Sequence, residues 1–235
     1  MTSLLIKIES TPDLVDQVYR SLLDAISGGT LAPGSRITQE EVAEQLAVSR
    51  QPVLLALRLL KKDGFVLDAP GRGLLVAPLD GVWLGRVYQI RCALDALAAR
   101  LAAQAHAVMN PELIRLGRLA TRSQDVKAMM AADAEFHNAI YEASGNPLIA
   151  QSAQLHWQHI RRAMGAVLQV ANMRESIWDE HEAIVQAIEA GDAERVESLS
   201  RQHGEDASCN LAGLLASAKP QAATTSAAQT ISPNP

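Results

Sequence analysis

Residues 38–76 read TQEEVAEQLAVSRQPVLLALRLLKKDGFVLDAPGRGLLV, and their punctuation decides the architecture of the first third of the chain. Thr38 with Glu41 three residues later is a capping-box pattern, and it starts a short helix carrying Val42 and Leu46. Ala47 and Val48 make a turn, after which Ser49 caps a second helix with Pro52 still in its first turn. Val53, Ala56, Leu57 and Leu60 share one face of that helix, which ends near Asp63-Gly64. Two apolar runs, 65–67 and 74–76, flank Gly71-Arg72-Gly73 and predict a hairpin with a glycine-rich tip. Upstream, Thr11-Pro12 starts a helix that runs through Val15, Val18, Leu22 and Ile26 to a stop at Gly28-Gly29. Three helices followed by a hairpin give the order of a winged helix-turn-helix, which we assign to residues 1–79.

Composition bounds the rest. The chain has 235 residues, 48% of them hydrophobic, yet only two Phe, three Trp and three Tyr, so its core must be aliphatic. Abundant Ala and Leu favour helix over strand. Cys92 and Cys209 are isolated, which argues against a disulfide framework and a thiolate zinc site. Neither a secretory leader nor an apolar run of about 20 residues is present, so a cytoplasmic protein with no membrane partner is expected. The net charge of −5 argues against indiscriminate nucleic-acid binding. Between Arg50 and Arg72, however, five Lys/Arg face two Asp, a local net charge of +3. That basic segment coincides with the third helix and the hairpin tip, the two elements such a module offers to DNA.

From about residue 80 the pattern is wholly helical, with helices expected over 82–109, 111–122, 123–143, 147–170, 172–190 and 192–216. Residues 80–217 thus form an all-α bundle, and 218–235, with one charge and three prolines, a disordered tail. Within the bundle four polar residues fall on apolar stripes. Met130, Asp133, His137 and Ile140 share a face; His181 lies among Ile177, Ile184 and Ile188; His203 lies among Val196, Leu199 and Leu214. Unpaired burial of such groups costs several kcal/mol. A divalent metal would compensate them, because imidazole and carboxylate suit zinc, nickel, manganese or iron and Asp133 with His137 offers two ligands at i, i+4. The alternative for each histidine is a hydrogen-bonded place in the core.

These segments resemble a known family. PGSRI at 33–37, EEVAEQLAVSRQPVLLALRLLKKDGFV at 40–66 and PGRGLLVAP at 70–78 are similar to the DNA-binding domain of GntR-type transcriptional regulators. RCALDALAARLAA at 91–103, DAEFHNAIYEASGNPLI at 133–149, DEHEAIVQAIEAGD at 179–192 and His203 resemble the all-helical FCD effector domain of the FadR-like branch. The resemblance implies a metal site at Asp133, His137, His181 and His203, and a small organic acid as effector, with Arg91 positioned to pair with its carboxylate. Arg161 and His159 are further candidates for the effector site, against an interdomain or surface place for each.

On the third helix, Arg50, Leu54, Arg58 and Lys61 lie opposite the apolar stripe. Arg50, near the start of a helix entering the major groove, can bond guanine O6 and N7 together, and it matches the family's arginine. Arg36 also matches a family DNA contact, while Ser49, Gln51, Lys61 and wing residue Arg72 suit phosphates or base edges. Leu54-Leu55 stands where the family has Arg-Glu, so Leu54 either touches a thymine methyl or packs under the wing. One reading helix recognises one half-site, so a homodimer on a palindromic operator is expected. The chain reads as an effector-controlled regulator, most simply a repressor, and not as an enzyme. Two alternatives stay open: a metal-dependent enzyme acting on a small organic acid, and a helical interaction module with a degenerate DNA-binding head.

Overall fold

A computed structural model describes residues 14–167 and 176–217. The first domain contains α1 (Leu14–Ser27), β1 (Arg36–Ile37), α2 (Gln39–Gln45), α3 (Arg50–Lys62), β2 (Val66–Asp68) and β3 (Leu74–Val76). The capping box at Thr38 and Glu41 forms as its sequence requires, and Ser49 occupies the N-cap of α3 without a side-chain capping bond. The apolar faces of the three helices close on one core containing Val18, Ile26, Val42, Val53, Leu60, Phe65 and Val76. The wing is a three-stranded antiparallel sheet in the order β1-β3-β2, one strand more than the expected hairpin. The extra strand has two residues, too few to show an alternating pattern in the sequence. Its pairing of Arg36 with Leu75 sets Arg36 beside the wing. Gly73, with φ +91°, lies at the turn, and a Cβ there would come within 3.1 Å of the Ile37 carbonyl.

The second domain comprises α4 (Gly81–Gln104), α5 (Glu112–Ser123), α6 (Val126–Ala143), α7 (Pro147–Val167), α8 (Ile177–Glu189) and α9 (Ala193–Ser217). Helix α4 ends five residues before the expected 109, because His106 takes a left-handed φ of +48° and Met109 folds back into the core. Helices α4 and α9 form the most extensive helix pair. Small residues permit this: Ala98, Ala99 and Ala102 are fully buried, and a Cβ on Gly204 would lie 2.3 Å from Cys92 Sγ. Likewise Gly117 leaves room for the Trp178 ring, which would otherwise be 2.0 Å from a Cβ. No described helix is long and apolar enough to cross a membrane. The helix start at Thr11-Pro12, the end of the 147–170 helix, the start of the 172–190 helix, and the tail from 218 lie outside the described residues.

Candidate DNA-reading face and candidate metal centre

On the first domain, the residues expected to face DNA are exposed apart from Leu54, which is half-buried. Arg50 Nη1 lies 3.2 Å from Glu40 Oε1, and the Arg50 carbonyl accepts a bond from Gln39 Nε2 at 2.6 Å, so α2 positions the start of α3. Arg36 Nη2 donates to the Pro70 carbonyl at 2.9 Å, and Lys61 Nζ reaches Asp68 at 2.7 Å, both tying side chains to the wing. Leu54, Arg58 and Lys61 line a groove between α3 and the hairpin, alongside Leu57 and Leu74. Leu54 therefore has apolar neighbours under the wing. Gln51 and Arg72 stand free in solvent-exposed positions at the helix start and wing tip.

In the helical domain the four inward polar residues converge. His137, His181 and His203 are buried and offer ligand atoms within 4.8 Å of one another. His181 Nε2 is 3.2 Å from His203 Nε2 and 3.6 Å from Asp133 Oδ1, and His137 Nε2 is 3.9 Å from the same carboxylate. Two donors about 2.1 Å from one tetrahedral ion lie about 3.4 Å apart, so these separations fit a shared ion. Burial pushes the His137 and His181 imidazoles well below their usual pKa, reinforced by Arg91 and the neighbouring rings. Neutral imidazole is the form that ligates a metal. Burial also raises the Asp133 carboxyl. His181 Nδ1 has no hydrogen-bond partner, while its ring stacks on Phe136 at 3.9 Å.

Two residues that were not singled out in the sequence orient this group. His203 Nδ1 donates to Glu180 Oε2 at 2.8 Å, which leaves the Nε2 lone pair facing His181. Asp95 Oδ2 lies 3.6 Å from His137 Nδ1 and 3.2 Å from Arg91 Nε, and its other oxygen accepts from the Tyr141 hydroxyl. Such outer partners fix the ring orientation of metal-binding histidines. Asp95 had a signal in the sequence, the i, i+4 spacing from Arg91 on α4. Glu180 had none, since its partner is 23 residues away on another helix.

A cavity of about 380 Å³ opens beside the cluster, lined at its inner end by Arg91, Asp95, Asp133, His137 and His203. Arg91 is buried and held 4.4 Å over the Trp157 ring. Of the three candidates for an acid-binding group, only Arg91 lies here. His159 is instead at the seam between the domains: its ring stacks on Phe65 at 4.1 Å and its Nε2 donates to the Asp63 carbonyl at 3.0 Å. Arg161 Nη1 lies 3.1 Å from Asp24 Oδ1 of α1. Both residues are on α7, on turns that face the head, so helical phase carries them away from the cavity. Arg162 is buried with Nε and Nη2 unpartnered, and burial lowers its pKa to about 10.

The aromatic residues are sorted between these two places. Tyr88, Phe136, Tyr141, Trp157 and Trp178 surround the histidines or the cavity. Phe65 and Trp83 contact His159 at the seam, where Tyr19 also donates to Asp63 at 2.7 Å.

Comparison with known proteins agrees with this architecture. Residues 14–76 match the model of bacterial regulatory proteins of the gntR family, and residues 86–206, more than half of the chain, match the FCD domain. The HTH-type transcriptional repressor RspR of Escherichia coli K12 is 25% identical over 213 residues, spanning 86% of this chain and 90% of that one. A regulatory protein attributed to the L-lactate dehydrogenase operon of the same strain is 30% identical over 217 residues, covering 81% of this chain and 83% of its own. The solved structure of E. coli McbR/YncC superposes with a TM-score of 0.70 at 24% identity, over 89% of this chain and 99% of that one. A winged head joined to an all-helical domain thus has its counterpart in known regulators: the chain belongs to the GntR family of DNA-binding transcriptional regulators, of the kind with an FCD domain.

Proposed function

We propose that the protein is a homodimeric repressor whose operator affinity is set by a small organic acid bound beside a divalent metal in the helical domain. The observation that carries this reading is the meeting of Asp133 with His137, His181 and His203, of which Asp133, His137 and His203 also line a cavity that holds Arg91. Asp133, His137, His181 and His203 would hold zinc, nickel, manganese or iron. Bound there, the metal supplies a Lewis-acidic position for a carboxylate, and Arg91 adds a charge-assisted contact to the same group. Glu180 and Asp95 keep the His203 and His137 rings turned toward that point.

In the head, Arg50 reads a base edge, Arg36, Ser49, Gln51, Arg58, Lys61 and Arg72 contact phosphate or groove, and Leu54 supports the wing rather than a thymine methyl. The palindromic operator and its two-fold protein follow from one reading helix per chain. The exposed apolar residues Trp83, Ile90 and Leu97, spaced by seven on α4, suit the face of a second copy. Repression accords with a relative named as a repressor, and a small organic acid as effector accords with one named for the L-lactate dehydrogenase operon.

Coupling runs through α7. Trp157 stacks on Arg91 at the cavity, and two residues on, His159 holds the C-terminal end of α3. An acid that changes the Arg91 environment differently in two domain arrangements shifts their populations, and with them the spacing of the two heads. The test measures operator affinity at fixed salt with and without saturating acid, alongside the metal content of the purified protein. Unchanged affinity under saturating acid, or protein free of metal with full response, would overturn the mechanism.

A further inference from the structure

We infer that the ligand of the helical cavity is a monocarboxylate with an apolar body, and that di- and tricarboxylates are selected against; this rests on reading the cavity as the effector site. The two ends of the cavity differ in chemistry. Its inner end is polar, with Asp133, His137, His203, Asp95 and Arg91. The rest of the described lining is largely apolar, with Met164, Ile177, Ala207, Leu211, Leu214 and the ring of Tyr88. Cys209 and Asn210, both exposed, and the neutral Tyr88 hydroxyl are uncharged polar groups of the described lining.

Charge accounting points the same way. Among the described lining residues Arg91 is the one permanent cation, and Asp95 already lies 3.2 Å from its Nε. Asp133 adds a second negative charge at the same end. With the proposed divalent ion held there, these groups sum to one net positive charge, which one carboxylate balances, and a second carboxylate would have no cation among the described lining residues to pair with. Removing a charge from water into such surroundings is strongly unfavourable, whereas a methylene gains about fourfold in affinity when buried there. The volume of about 380 Å³ is at the small end of ligand cavities, which suits a compact acid.

Gly213 offers a way to alter the apolar part. It lines the cavity on α9, and a Cβ there meets nothing within 4 Å. A larger side chain at this exposed helical position can project over the cavity without colliding with the fold.

The test is calorimetric titration of the full-length protein, as purified, with butanoate, hexanoate, hexane-1,6-dioate and citrate. Hexanoate should bind about tenfold or more tighter than butanoate through its two added methylenes, and at least tenfold tighter than the dioate. Gly213→Leu, verified by an unchanged thermal midpoint, should reduce the preference for hexanoate over butanoate. Equal or tighter binding of hexane-1,6-dioate or citrate, or an unaltered preference in the variant, overturns the inference. If citrate binds and releases operator, the effector-switch reading stands while this inference falls; if none of the four acids binds, both fall.

Discussion

The two domains use one helical periodicity to opposite ends. In the head, the polar residues of α3 lie opposite the core stripe, and the Arg50 side chain is 67% exposed. In the helical domain, polar residues occupy the core stripe itself, and the Arg91 side chain is only 5% exposed. An exposed arginine is ready for a phosphate or base without loss of internal contacts. A buried one is tolerated because Asp95 pairs with it and Trp157 covers it. The difference separates an exposed surface suited to DNA from the lining of a buried cavity.

Removing a residue from each region should break the comparison in different ways. His181→Ala strikes hardest: it opens a hole beside Phe136 and removes one imidazole of the proposed metal site. We expect the metal content to fall from about one ion per chain to none, with a loss of roughly 3 kcal/mol of stability by denaturant titration. A variant that retained its metal would make His181 a core residue only. Arg50→Ala should lower specific operator affinity by about 5- to 150-fold, the worth of a bidentate base contact, while thermal stability stays constant. Unchanged affinity in a mobility-shift titration would remove Arg50 from the reading face.

His159 sits between the two regions and sharpens the contrast. Burial lowers its imidazole pKa to about 4, against the usual 6.5. The unfolded chain therefore binds the proton first as pH falls. The seam keeps full stability above about pH 6.5 and loses it progressively toward pH 4. His159→Gln should flatten that pH dependence in thermal melts and weaken the operator response to acid several-fold, with metal content intact. An unaltered pH profile would place the acid sensitivity elsewhere. Smallest of all, Arg72→Ala should weaken binding evenly across DNA sequences and reduce the slope of log affinity against log salt by about 1. A change in sequence preference instead would make Arg72 a base-reading residue.

Most of the head was legible in the sequence, because its signals are local. Thr38 and Glu41 cap α2, the apolar spacing from Val53 to Leu60 orients α3, and glycines mark the wing tip. The two-residue strand β1 was not, since its only ladder is to a strand nearly 40 residues away. In the helical domain the stripes singled out Asp133, His137, His181 and His203, and the fold brings all four together. Arg91 lies at the cavity, whereas His159 and Arg161, the further candidates for an acid-binding site, lie at the seam between the domains.

The amino-acid sequence by itself determined which faces of each helix are apolar, where α2 and α3 start, and that polar groups on apolar stripes need compensation. These follow from interactions within a few residues. Tertiary structure alone decided that Glu180 orients His203, that Asp95 serves both Arg91 and His137, and that α7 spans from the cavity to the end of α3. Each of those depends on the rotation of one helix against another. Close packing at Gly204 and Gly117 sets such rotations, and no spacing along a single segment encodes them.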